Sequence, residues 1–198
     1  MSRPKKILFI CASPEEVTTL RAIADALPEM RAVFSPAYGG RKVELLRSLG
    51  LLERTPFGYA AGRAVLSKIG DLGLPCEPRG LLGDFAMVVQ GLGRISGDNL
   101  AGRALVLVEH RGATALPPPR SLADRIQVCA ASPSSVARLV QLGWSRSNIE
   151  LTGAIDAPAE AAYHAASAIA RVVQRVLGAA SRTESRAHLE ETGDSTEA

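Results

Sequence analysis

The segment Lys5–Ala12 (KKILFICA) constrains the fold more than any other stretch of this chain. An unbroken apolar run of this length, closed at once by turn chemistry, is the pattern of a strand buried on both faces. Ser13-Pro14-Glu15-Glu16 follows. Ser13 is a helix-capping residue, Pro14 suits the first helical position, and Glu16 completes an S-x-x-E capping box. Val17, Leu20, Ile23, Ala24 and Leu27 then recur at helical spacing, with Pro28 just past the end. A buried strand running straight into a capped amphipathic helix is the opening half of a βαβ unit.

The pattern repeats along the chain. Strands are predicted at Met30–Ser35, Phe85–Gln90, Ala104–Glu109, Arg125–Ala131 and Ile149–Thr152. Helices are predicted at Lys42–Leu49, Gly58–Leu72 and from Ser132-Pro133 to Leu142, with Gly143 as the stop. Cys-Ala-Ser-Pro at 11–14 and Cys-Ala-Ala-Ser-Pro at 129–133 are two instances of the same strand-to-helix turn. Pro117-Pro118-Pro119 forms a rigid extended stretch in a surface loop. Pro158–Leu177 reads as a long amphipathic helix with Ile169, Val172, Val173, Val176 and Leu177 on its apolar face, ended by Gly178. Strands alternating with helices imply crossover connections and a parallel sheet. The expected fold is α/β: a single-domain, Rossmann-like three-layer αβα sandwich with a mostly parallel sheet. Its organisation is a domain over 1–157, a helix over 158–178 that packs on it or on a partner, and a disordered acidic tail over 179–198.

Composition narrows the function classes. The three cysteines (Cys11, Cys76, Cys129) have no CxxC spacing, so neither a zinc site nor a disulfide framework is indicated. The basic residues Arg3, Lys5 and Lys6 precede an apolar run too short for a secretion signal, so a cytoplasmic location is expected. No apolar stretch approaches the roughly 20 residues that span a bilayer. The net charge of +3 hides a tail, residues 181–198, with two arginines against five acids. A basic domain favours anionic ligands. Its charges are scattered, and aromatic residues make up only 4% of the chain, so no nucleic-acid surface is indicated.

Ligands of parallel sheets bind at the carboxyl ends of the strands, and that rule selects the candidate residues. Ser13 stands at the first helix N-terminus, where free amides can hold an anion, although Glu15 and Glu16 already answer that dipole. Gly39, Gly40 and Arg41 allow close backbone approach and an anion contact, or form a plain turn. Gly91, Gly93 and Arg94 belong to a glycine-rich loop (GLGRISG) whose third glycine falls one position late for a dinucleotide fingerprint. Gly112 occupies the place where an acidic residue would meet a ribose, so NAD binding is rejected and no cofactor is implied. Glu109, His110 and Arg111 end an apolar strand. There, Glu109 and His110 form a candidate acid/base pair and Arg111 an anion clamp, with a surface turn as the equal alternative.

Placed in this order, the elements resemble the N-terminal domain of GT-B fold proteins, which include nucleotide-sugar glycosyltransferases and UDP-N-acetylglucosamine 2-epimerases. The resemblance spans about residues 5–156. It is carried by Ala131-Ser132-Pro133 through Leu142-Gly143, the strand Asn148–Gly153 and Asp156, together with Val88-Val89-Gln90-Gly91, Leu107-Val108-Glu109 and Pro14-Glu15. Leu92 stands where the epimerases carry a catalytic Asp, and Ser13 where they carry an Arg. The resemblance implies the acceptor-side half of a glycosyltransferase of glycan or cell-envelope polysaccharide synthesis. Its partners would be a donor-binding subunit or a second copy, and its ligands a nucleotide sugar or a glycan or lipid acceptor. The alternative is a non-catalytic domain that binds a glycan, a nucleotide or a protein. An exposed apolar face on helix 158–177 would mark a partner or peripheral membrane contact.

Overall fold

A computed structural model describes residues 5–37, 62–77, 85–92, 103–111, 113–119 and 126–193, with side chains to residue 180. Six strands form one sheet: β1 (Lys6–Cys11), β2 (Arg31–Pro36), β3 (Met87–Gly91), β4 (Ala104–Val108), β5 (Ile126–Ala130) and β6 (Ile149–Leu151). Four α-helices accompany them among the described residues: α1 (Pro14–Asp25), α2 (Arg63–Asp71), α3 (Pro133–Gln141) and α4 (Ala159–Gly193). The predicted helix Lys42–Leu49 lies outside the described residues.

Every strand pairing is parallel, in the order β2-β1-β3-β4-β5-β6. The strand residues are buried almost without interruption because helices cover both faces. On one face, Ile7, Phe9, Met87, Val89 and Val106 pack against Val17, Leu20 and Ile23 of α1, Val65 and Ile69 of α2, and Ile169 and Val173 of α4. On the other, Leu8, Ile10, Val88, Leu105, Leu107 and Val128 pack against Leu139 of α3 and Trp144. This is the Rossmann-like three-layer sandwich. The alternation of side chains along each strand divides one sequence run between two cores. Phe9 and Phe34 stack across β1 and β2 with ring centroids 5.1 Å apart.

Both predicted capped turns form. Ser13 Oγ accepts from the Glu16 amide (3.2 Å), and Ser132 Oγ accepts from the Ser135 amide (3.1 Å), each followed by a proline. Gly143 adopts φ +94° after α3, a left-handed geometry that a side chain would strain. Trp144 Nε1 donates to the Leu116 carbonyl (2.8 Å), which fastens the segment ahead of the three prolines to the domain.

The C-terminal helix differs from expectation in length. It continues through Gly178 to Gly193, into the segment assigned to a disordered tail. A glycine inside a helix costs only about 1 kcal/mol relative to alanine. The flanking Ala179-Ala180 and the absence of proline up to Gly193 let the helix continue. Its apolar face is covered: Ile169, Val172, Val173 and Leu177 are buried against the sheet and α1. The alternative of an exposed apolar face on this helix is therefore corrected. No helix among the described residues is long and apolar enough to cross a membrane.

Candidate functional site

The carboxyl edge of the sheet is assembled from the ends of β1, β3, β4, β5 and β6 and the N-termini of α1 and α3. Strand order reverses between β1 and β3, since the chain runs from β1 outward to β2 and then returns to the other side of β1. The crevice outside such a reversal is the general ligand position of open parallel sheets.

Three residues from three elements meet there. Glu16 comes from the first turn of α1, Gly91 ends β3, and His110 follows β4. His110 Nε2 lies 3.1 Å from Glu16 Oε1, with both side chains about 85% buried or more (exposures of 15% and 13%). The separation is that of an ion pair, but Nε2 is not aligned as a hydrogen-bond donor, and it is sealed from solvent. Gly91 makes the contact sterically possible. A Cβ there would stand 2.6 Å from His110 Nε2 and 3.0 Å from Glu16 Oε1.

The surrounding bonds fix the protonation state. His110 Nδ1 lies 3.0 Å from the Arg111 carbonyl, which can only accept, so Nδ1 carries a proton. Nε2 then needs a second proton to face the Glu16 carboxylate favourably. The Glu16 carboxylate raises the His110 pKa above its ordinary 6.5, with smaller support from the Arg111 carbonyl and Asp156 and opposition from burial. Glu16 itself is held by the Ala12 amide, which donates to Oε2 (2.5 Å). The capping-box residue thus also reaches the amide ahead of the cap. Asp156, from the turn before α4, accepts from the Arg111 amide (2.5 Å) and anchors the chain after His110.

Glu109 occupies a different setting from its neighbour. Its Oε2 accepts from the Ala131 amide (2.8 Å) and its Oε1 from Arg138 of α3 (2.5 Å). The carboxylate straps the end of β4 to the β5–α3 turn, and at 8% exposure it is not part of a surface turn. Glu109 and His110 are therefore not paired with each other: one engages α3, the other α1. Of the remaining candidates, Ser13 serves as the cap of α1, and Arg111 lends its amide to Asp156 and its carbonyl to His110. Gly39, Gly40, Arg41, Gly93 and Arg94 lie outside the described residues.

The sequence reading missed Glu16 as a site residue, along with the anchoring roles of Asp156 and Arg138. Glu16 was visible as the capping-box acid. Its second partner, 94 positions away, depends on strand order and has no local signature. Cys11 ends β1 and Cys129 is the penultimate residue of β5, and both thiols are buried. Burial, reinforced by Glu16, pushes the Cys11 thiol up, and burial, reinforced by Glu150, pushes Cys129 up to about 12. Among the described residues no group of three or more His, Cys, Asp or Glu side chains is arranged to hold a metal ion. A groove of about 420 Å³ between α1 and α4, lined largely by alanines with Tyr163, contains none of the candidate residues.

No protein-family pattern matches the chain, and comparison with curated proteins finds no significant relative.

Proposed function

We propose that this protein is a ligand-binding domain of the GT-B kind, taking a nucleotide sugar or a glycan at the carboxyl edge of its sheet beside the Glu16–His110 pair. The observation that carries the reading is this pair's position at the reversal of strand order, packed directly over Gly91 at the end of β3. The amino-terminal turn of α1 adds oriented amides at the same place. Binding is favoured over catalysis because the polar groups there are already engaged by the protein. Both Glu109 oxygens accept bonds, and both His110 nitrogens face protein acceptors.

The second reading is the acceptor-side half of a glycosyltransferase, supplied with donor by a partner subunit or a second copy. It is favoured by His110, a titratable side chain at the carboxyl edge of the sheet. For His110 to take a proton from an acceptor hydroxyl, it must first lose the proton facing Glu16 and turn Nε2 toward the ligand.

Amide chemical-shift mapping separates the readings. Titration with nucleotide sugars and with oligosaccharides should perturb Ala12, Gly91, Leu92 and Arg111 first. Saturable shifts with no product from any donor–acceptor pair support the binding domain. Product formation that His110→Gln abolishes and Glu109→Gln spares supports the transferase half. If no nucleotide sugar or glycan moves these amides, the ligand class is wrong.

A further inference from the structure

We propose that Glu16 and His110 form a proton-dependent latch over the carboxyl end of β3, closed when His110 is charged and released when His110 is neutral. The latch joins elements that are not adjacent in the sheet. β3 lies between β1, which leads into α1 and Glu16, and β4, which leads into His110. The contact crosses the end of β3 at Gly91, where a Cβ at 2.6 Å from Nε2 would block it.

Two hydrogen bonds and one close contact set the proton count. The Arg111 carbonyl fixes one proton on Nδ1. The Ala12 amide occupies one oxygen of Glu16, which leaves the other, Oε1, facing Nε2. In the neutral imidazole, Nε2 carries a lone pair, so loss of its proton sets that lone pair against a carboxylate oxygen. Because Nε2 is sealed from solvent, no water can bridge the two, and the contact turns from attractive to repulsive. Relief comes from parting the two side chains, which exposes the turn of α1 and the end of β3.

The charged groups around His110 favour the closed state. Among the described residues, α1 contributes Glu16, and the turn before α4 contributes Asp156 through the Arg111 amide. β1 contributes Cys11, whose buried thiol stays neutral. β3 contributes Gly91 and no charge. Glu109, beside His110 in sequence, is neutralised by Arg138 on the far side of the strand end.

The latch is made of protein groups alone and is read without any ligand, so its failure leaves the ligand reading untouched. The test follows the His110 ring by NMR through a pH titration of the wild-type chain, together with amide hydrogen exchange at Ala12. The expected result is a His110 midpoint above the ordinary imidazole value. As that midpoint is crossed, Ala12 should lose protection beyond the acceleration that hydroxide catalysis gives reference amides in the same protein. Glu16→Gln shifts the midpoint down toward the ordinary value and removes the pH dependence of Ala12 protection. A wild-type midpoint at or below the ordinary value overturns the latch, as does Ala12 protection that does not change across it. Both are read on the wild-type chain and do not depend on whether a variant folds.

Discussion

His110 Nε2 and Glu16 Oε1 stand 3.1 Å apart across the end of a strand to which neither residue belongs. One comes from the chain after β4, the other from the first turn of α1, and Gly91 of β3 lies beneath both. The pair couples the first helix of the domain to the middle of the sheet through a single titratable contact.

This coupling sets a pH dependence of stability. Folding raises the His110 pKa above 6.5, chiefly through Glu16. The pair's contribution is therefore complete below the ordinary imidazole value and is lost as pH climbs through the higher folded value. Urea denaturation across that window should show stability falling with rising pH. In His110→Gln that part of the slope should disappear.

Gly91→Ala tests the space rather than the charge. The new methyl falls 2.6 Å from Nε2, so His110 must move off Glu16. A loss of about 1–3 kcal/mol is expected for overpacking at such a site. The His110 midpoint should drop with it. An alanine variant that keeps the raised midpoint would show that the contact does not pass over residue 91.

Glu109 should behave as a strap. Glu109→Ala leaves the Ala131 amide without its acceptor, at a cost of about 1–3 kcal/mol. Arg138→Ala removes a half-exposed partner and should cost roughly 0–1 kcal/mol. Chemical denaturation of the two variants and of their double mutant measures both costs and the coupling between them. If Arg138→Ala costs as much as Glu109→Ala, the ion pair and not the amide bond carries the strap.

The C-terminal helix should prove integral to the domain. Ile169 is fully buried, and Ile169→Ala should cost about 2–5 kcal/mol. A chain ending at residue 157 exposes the face of the sheet that α4 covers and should lose its cooperative thermal transition. If it unfolds cooperatively, with a midpoint near that of the full chain, α4 is an accessory.

The fold was largely legible in the sequence because burial on two faces leaves an unmistakable mark. The six apolar runs became the six strands, with ends differing by at most two residues, and Ser13-Pro14 and Ser132-Pro133 became the two capped helix starts. The candidate site was legible only in its address. Glu109 and His110 were found because they end an apolar strand, yet their partners, Arg138 and Glu16, follow from strand order and register, which local periodicity does not encode. Adjacent residues leaving a strand point to opposite faces. Two neighbours that suggested one acid/base pair accordingly serve two separate contacts. Gly178 is the converse case: a glycine that locally favours a stop lies inside a helix that continues through it.

α4 also bears on how the protein is made. It follows all six strands in sequence, and it packs on α1 and on the strands β4 and β5. During synthesis at roughly 5–20 residues per second, β1 and α1 emerge on the order of ten seconds before the segment that covers them. Until then the apolar surface later closed by Ile169, Val173 and Leu177 stays open. Closure of that face therefore waits on α4, an element made only after all six strands and the other three described helices.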